Sequence, residues 1–298
     1  MRPVVRACLI ATASMLLVAA APRAAAPEFQ TPETKMALVT VVADANGPLR
    51  DLTAQYFIIT EDNKKRRVVS AQLAEEPLSI VLLIDTATPP MGTQYPTQDV
   101  RSALAAFVKS VHSRSPDAMI SIVDVGGAAV TRVDFTSKAA ELDAVIGKLY
   151  PNHQAQAVVL EALVDASKRI GERPAPRRAI VSVDFNSSEG SAERSMKAAI
   201  DAAQKSGVTL WPVSVRGSTL SAPTREDVLN KITQANGGLR LTPVTASGLH
   251  PALQTVANSL ASQYSLVFER ADGGSPKTTK FETTKGAKVL RTPWMRLL

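Results

Sequence analysis

Cysteine is all but missing, since Cys8 is the only one in the chain. It lies in an amino-terminal stretch that reads as an export signal, so the mature protein is expected to hold no thiol. That excludes disulfides, zinc–cysteine sites and thiol nucleophiles, and it suits an oxidising compartment. Aromatic residues make up only 4% of the chain, too few for the stacked platforms that hold single-stranded nucleic acid, and no long basic stripe runs between them. Nucleic acid is therefore not an expected partner. Two catalytic signatures are also missing: no Gly-x-Gly-x-x-Gly follows a strand to cradle a dinucleotide, and no Gly-x-Ser-x-Gly elbow presents a serine between strand and helix. The chain reads as non-enzymatic, with no cofactor expected. The apolar stretch 7–21 falls short of the roughly 20 residues of a spanning helix, so no transmembrane segment is expected in the mature chain.

That stretch follows Arg2 and Arg6 and ends in small residues suited to signal peptidase, the pattern of a signal peptide over residues 1–26. The mature chain is then exported, to the periplasm or the extracellular medium. The formal net charge of +7 includes Arg2, Arg6 and Arg23 of that segment, so the mature chain retains +4. At 45% hydrophobic and 20% charged, the composition is that of a globular protein with one sizeable core and an accessory layer.

Residues 27–76 open on a proline-rich start and then read as three strands, 36–43, 56–60 and 66–72. Asp44-Ala45-Asn46-Gly47-Pro48 is a turn signal, and residues 61–64 read as a hairpin turn in which Asn63 takes the positive φ. The cationic tip Lys64-Lys65-Arg66-Arg67 either attracts an anionic partner or is a solvated turn. From 77 to 262, strands at 78–85, 118–125, 128–134, 178–184, 208–215 and 238–242 alternate with amphipathic helices at 97–113, 137–149, 157–170, 191–206, 224–235 and 248–261. This alternation predicts an α/β fold: a doubly wound, mostly parallel sheet with helices on both faces. Gly126-Gly127 leaves no room for a crossover helix and marks a hairpin that adds one antiparallel strand at the sheet edge. Residues 263–298 return to strands, at 263–269, 277–284 and 287–292. They are expected to join residues 27–76 in an added β-rich layer that brings the two chain ends together.

The strand 78–85 is apolar until it ends in Asp85, where an open α/β sheet keeps its ligand crevice. Asp85 with Thr86-Ala87-Thr88-Pro89-Pro90-Met91 resembles the first strand and metal-site loop of von Willebrand factor A domains, whose pattern is Asp-x-Ser-x-Ser. Asp44, Gly47, Leu52, Phe57, Glu61 and Asp62 ahead of it, and Gln263, Tyr264 and Leu266 after the last helix, resemble a group of exported bacterial proteins related to those domains and described mainly from acidobacteria. The resemblance covers nearly the whole mature chain and implies the Rossmann-like von Willebrand A fold. It also implies a magnesium ion held by two aspartates, two serines and a threonine. At the matching positions this chain has Asp85 and Asp184, but Ala87, Pro89 and Ala157 for the other three, and Phe185 for the glycine that usually follows the second aspartate. The metal-ion-dependent site is therefore expected to be degenerate.

Thr86 and Thr88 are offset by one residue from the family's serines, which turns them away in extended backbone. Two readings of Asp85 and Asp184 stay open. They retain a Mg2+ site, or they are structural carboxylates that cap nearby turns and need some cation or donor beside them. His153 with the two aspartates makes a thin ligand set for a transition metal. His112, with Lys109 near a helix end, suits a surface or helix-dipole role, and His250 beside Pro251 a helix start.

By resemblance, the function is protein binding through the loops after the strands, 86–95, 150–156 and 185–190, and because the metal ligands are largely lost, recognition is expected to be metal-independent. The candidate face is Asp85, Thr86, Thr88, Tyr95, Tyr150, His153, Gln154, Gln156, Asp184, Phe185 and Asn186, with Tyr95 and Tyr150 as exposed aromatic anchors and Phe185 as either a third anchor or a ring packed against its own loop. The alternative is a structural or assembly protein of the cell envelope that contacts partners through its β-rich layer, with an exposed strand edge at 263–269.

Overall fold

A computed structural model describes residues 33–42, 47, 49–87, 94–216, 222–269 and 276–297. The expected signal segment, Asp44, and residues 88–91 of the Asp85 loop lie outside the described residues. The amino-terminal strands are β1 (Thr34–Val41), β2 (Phe57–Glu61), β3 (Lys64–Arg66) and β4 (Val68–Leu73). The alternating region gives β5 (Leu78–Ile84), α1 (Thr97–His112), β6 (Met119–Asp124), β7 (Val130–Thr136), α2 (Ala139–Ile146), α3 (Val159–Gly171), β8 (Arg177–Asp184), α4 (Ser195–Ser206), β9 (Thr209–Ser214), α5 (Pro223–Asn236) and α6 (Leu249–Leu260). The chain closes with β10 (Gln263–Glu269), β11 (Thr279–Thr283) and β12 (Val289–Leu297).

The α/β sheet has the order β7-β6-β5-β8-β9. All its pairings are parallel except that of β7, which runs antiparallel to β6 at the edge, as Gly126-Gly127 predicts. Every residue of β5 is buried. Alternation along it sends Leu78, Ile80, Leu82 and Ile84 into a cluster with α1, α2 and α6, and Val81 and Leu83 into a second with α3, α4 and α5. Each such side chain contributes roughly 1.5–3 kcal/mol by leaving water, so β5 is the spine of the sheet. The expected strand at 238–242 is only a single bridge, Leu241 to Val213. Gly237 and Gly238 take positive φ values of 82° and 106° just ahead of it, which bends the chain out of extended geometry.

Both chain ends share the remaining sheets. One has the order β12-β1-β10-β4 and the other β11-β2-β3, all antiparallel. Val39, Phe57, Ile59, Tyr264, Phe268 and Phe281 form a core of this β-rich part. The β2–β3 turn puts Asp62 and Asn63 at φ 46° and 64°, the geometry a two-residue hairpin needs. The expected strand 66–72 is split: β3 stays in that hairpin, whereas β4 pairs with β10 in the other sheet. The strand 263–269 is not an edge either. Tyr264, Leu266 and Phe268 are buried, and β10 runs between β1 and β4. β12 extends to Leu297 and carries Pro293 where its register against β1 shifts, a place at a sheet edge where proline costs no ladder bond.

Arg177, at the start of β8, ties this β-rich part to the α/β part. Its guanidinium donates to Gln263 Oε1 at 2.7 Å, Ala74 O at 3.0 Å and Leu260 O at 2.8 Å. Residues 33–298 form one compact unit.

Candidate functional site

Three strands end in aspartates along the carboxyl-terminal edge of the sheet: Asp85 directly after β5, Asp124 at the end of β6 and Asp184 at the end of β8. None is open to solvent. Asp85 Oδ1 accepts the amide of Ala87 at 2.8 Å, which closes a tight turn, and Oδ2 accepts the Ser187 hydroxyl in a short hydrogen bond. The Asp85 carbonyl takes the Tyr95 hydroxyl at 2.9 Å. Burial pushes the Asp85 carboxyl up to about 6, held back by the Arg225 charge and the Ser187 bond and pushed further by Asp184.

Arg225 is the centre of the arrangement, and it is completely buried. Its Nη2 lies 3.5 Å from Asp184 Oδ1 and its Nη1 3.4 Å from Glu189 Oε2. Asp184 Oδ2 accepts the Ser214 hydroxyl at 2.7 Å, and Glu189 Oε1 accepts the amides of Leu160 at 3.4 Å and Ser191 at 3.3 Å. Burial works against the Arg225 charge, but Asp184, Asp85, Glu189 and Glu226 outweigh it, so its net shift is upward. Arg225 stands in the first turn of α5, which starts at Pro223. The helix dipole disfavours a cation there, so the carboxylates, not the helix, hold it in place. Asn186 makes the bend after β8 with φ 59°, bringing Ser187 to Asp85 and Glu189 to Arg225.

A second knot fixes the neighbouring loops. The Thr86 hydroxyl donates to Asp124 Oδ1 at 2.6 Å, and Arg132 Nη2 donates to Asp124 Oδ2 at 2.6 Å. The Gly126 amide also donates to Asp124 Oδ1, at 3.0 Å, and a side chain at Gly126 would run into Thr86.

Of the sequence candidates, Asp85, Thr86, Tyr95, Asp184, Phe185 and Asn186 are therefore buried, and Thr88 lies outside the described residues. Tyr95 and Phe185 are not exposed anchors. Their rings meet edge to face at 5.0 Å within the α1-side core, because the apolar faces of both rings gain more from each other than from water. The exposed candidates are Tyr150, His153, Gln154 and Gln156, all on the loop between α2 and α3. That loop is pinned near both ends: the Asn152 amide donates to Thr86 O at 2.7 Å, the Gly127 amide to Gln156 O at 2.9 Å and the Ala157 amide to Ser188 O at 2.9 Å. Tyr150 is 67% exposed, and the Arg101 guanidinium lies 4.4 Å from its ring centroid while donating to Leu149 O at 2.6 Å. No three His, Cys, Asp or Glu side chains among the described residues converge as metal ligands, His153 included.

Sequence reasoning missed Arg225 and Arg132, and it placed Ser187 and Glu189 within the loop 185–190 without assigning them as partners of Asp85 and Arg225. Asp85 and Asp184 called for a nearby cation or donor, but nothing local marks Arg225, on a different helix, as that cation.

No family model matches the chain, and no curated protein does. Solved structures do. A von Willebrand factor type A protein from Catenulispora acidiphila superposes with a TM-score of 0.52 at 9% identity, over 91% of this chain and 74% of that one. A mutant of the PilB minor pilin from Streptococcus sanguinis gives 0.52 at 10% identity, over 63% of this chain and 62% of the pilin. Proximal thread matrix protein 1 from the mussel byssus, with a zinc-occupied MIDAS motif, gives 0.52 at 14% identity, over 70% of this chain and 50% of that one. The chain thus spans under two thirds of the length of the pilin and of the matrix protein. At these identities the likeness is one of fold, and the fold is of the von Willebrand factor A type.

Proposed function

We propose that the chain is an exported, non-enzymatic protein-binding module that engages its partner without a metal ion, through the α2–α3 loop at the carboxyl-terminal edge of the sheet. The observation that carries this reading is Arg225. Asp184 and Glu189 already share a buried guanidinium whose charge also acts on Asp85, and both Asp85 oxygens accept a hydrogen bond. Magnesium takes about six oxygens at about 2.0–2.1 Å. To bind here it would have to displace those donors and sit beside a like charge, and Ala87 and Ala157 supply no side-chain oxygen. The residues present do not fit the ion.

The binding role is supported by the fold type and by Tyr150, an exposed ring held over a guanidinium on a loop pinned near both ends, which lowers the entropic cost of using it as an anchor. A non-enzymatic role is supported by Ser187, the hydroxyl nearest the aspartates, which is buried and already donates to Asp85. Two measurements test the proposal. Thermal melting with millimolar Mg2+ or Mn2+ against chelator is expected to show no shift, whereas a ligand at about 100 times its dissociation constant would stabilise by about 2.7 kcal/mol. Partner capture from an envelope extract is expected to fail for Tyr150→Ala and to survive Asp85→Asn. A metal-dependent rise in melting temperature, or capture indifferent to Tyr150→Ala, would overturn it.

A further inference from the structure

Charge is divided unevenly along the chain. Residues 74–262 hold eighteen Lys and Arg against eighteen Asp and Glu, whereas residues 263–298 hold seven against three. Several cations of the β-rich part have carboxylate partners, Lys35 and Arg66 sharing Glu61 and Arg67 pairing with Glu269. Lys288 and Arg291 are exposed and have no ion-pair partner among the described residues. Both line one cleft of about 590 Å³ between α5 and β12, together with Arg240.

Two other cation-lined clefts differ from it in composition. The cleft at Lys168 and Lys205 also contains Glu172 and Asp201, and the one at Arg50, Arg114 and Arg177 contains Glu75, Glu76 and Asp117. The α5–β12 cleft has three cations and no acid in its walls. Arg240 is held by Glu226 and by Asn230 Oδ1 at 3.0 Å, and its Nε is a buried donor with no acceptor. The carbonyl end of α5 favours cations at this place but does not cancel them, so the two formal charges of Lys288 and Arg291 remain.

The walls are fixed. The Val42 amide donates to Lys288 O at 2.8 Å, and Arg291 pairs with Val39 in the ladder. Gly237 packs against the Arg291 carbonyl and Gly238 against that of Leu210, so closely that neither position has room for a side chain. Asn230, Thr233 and Gln234 line the α5 wall, and Val289 and Leu290 the β12 wall.

We infer that the cleft between α5 and β12 binds a dianion, a phosphate group or a pair of carboxylates, with Lys288 and Arg291 as its counter-charges. Arg suits such a group through its planar fork, and Lys through its compact charge. The test is isothermal titration of the full chain at constant ionic strength, with inorganic phosphate in one arm and succinate in the other. Saturable one-site binding is expected in at least one arm, weakened at least tenfold in Lys288→Gln/Arg291→Gln, with an unchanged melting temperature because both side chains are exposed. Binding of phosphate alone would identify a phosphoryl ligand, and binding of succinate alone a paired carboxylate. No saturable binding in either arm, or equal binding by the double variant, would overturn the inference. A Lys168→Gln/Lys205→Gln variant at the compensated cleft is expected to bind as the native chain does.

Discussion

Arg225 and Asp85 govern what single substitutions do at the site. Arg225→Met leaves Asp184 and Glu189 buried without their cation, and breaking a buried pair from one side costs about 3–5 kcal/mol. Urea denaturation at neutral pH is expected to show a loss of that order. Asp85 acts in the opposite sense. Its folded carboxyl titrates at about 6 and an unfolded aspartate at about 3.9, so between those values the native state holds the proton more firmly. Stability therefore rises as pH falls from 6 towards 4 and is lost as pH climbs back through 6. Burial pushes Glu189 in the same direction. Melting is expected to shift upward by several degrees between pH 7 and pH 5, and Asp85→Asn to remove most of that rise. At this scale the sequence reveals the carboxylates but not their counter-ion, since Asp184 and Arg225 meet only through tertiary packing. Tyr95 and Phe185 mislead for a related reason: loop aromatics next to a crevice look available until α1 is seen to cover them.

At the scale of elements, the apolar run of β5 and the glycine pair at 126–127 are legible because each constrains the backbone directly. The break between β3 and β4 is not, because residues 64–73 continue a β pattern while the chain changes sheets at Arg67. β12 lies at an edge, and its partner β1 carries Leu38, Val39 and Val41 at full burial. Removing residues 289–298 would open the free side of β1 and release the Thr292 hydroxyl bond to Leu38 O, 2.8 Å long. Amide hydrogen exchange is expected to quicken across residues 34–41 by at least tenfold while β5 and β8 keep their protection. Equal quickening in all three strands would mean that β12 supports the whole unit.

For the whole molecule, the expected boundaries at 76/77 and 262/263 fall between sheets that fold together in one compact unit. The two tryptophans report on its two parts: Trp211 is fully buried in β9, and Trp294 is half-buried in β12. Denaturation followed by both fluorescence and far-UV circular dichroism is expected to give coincident transitions by the two probes within each of Trp294→Phe and Trp211→Phe, the mark of a single cooperative unit. Separate midpoints would mean that the Arg177 contacts do not couple the two parts. The meeting of both chain ends is legible from the late return of β pattern after α6. The two-sheet division is not, since pairing partners depend on which faces find each other.

The Arg225 guanidinium also bears on the surroundings in which the module could operate. A counter-ion carried on the chain does not dissociate on dilution, since its effective concentration is set by the fold and not by the medium. Chelators cannot strip it and competing ions cannot exchange with it. On the proposed function, binding through this face is expected not to depend on divalent salts, with only the ionic screening of surface charges left to vary.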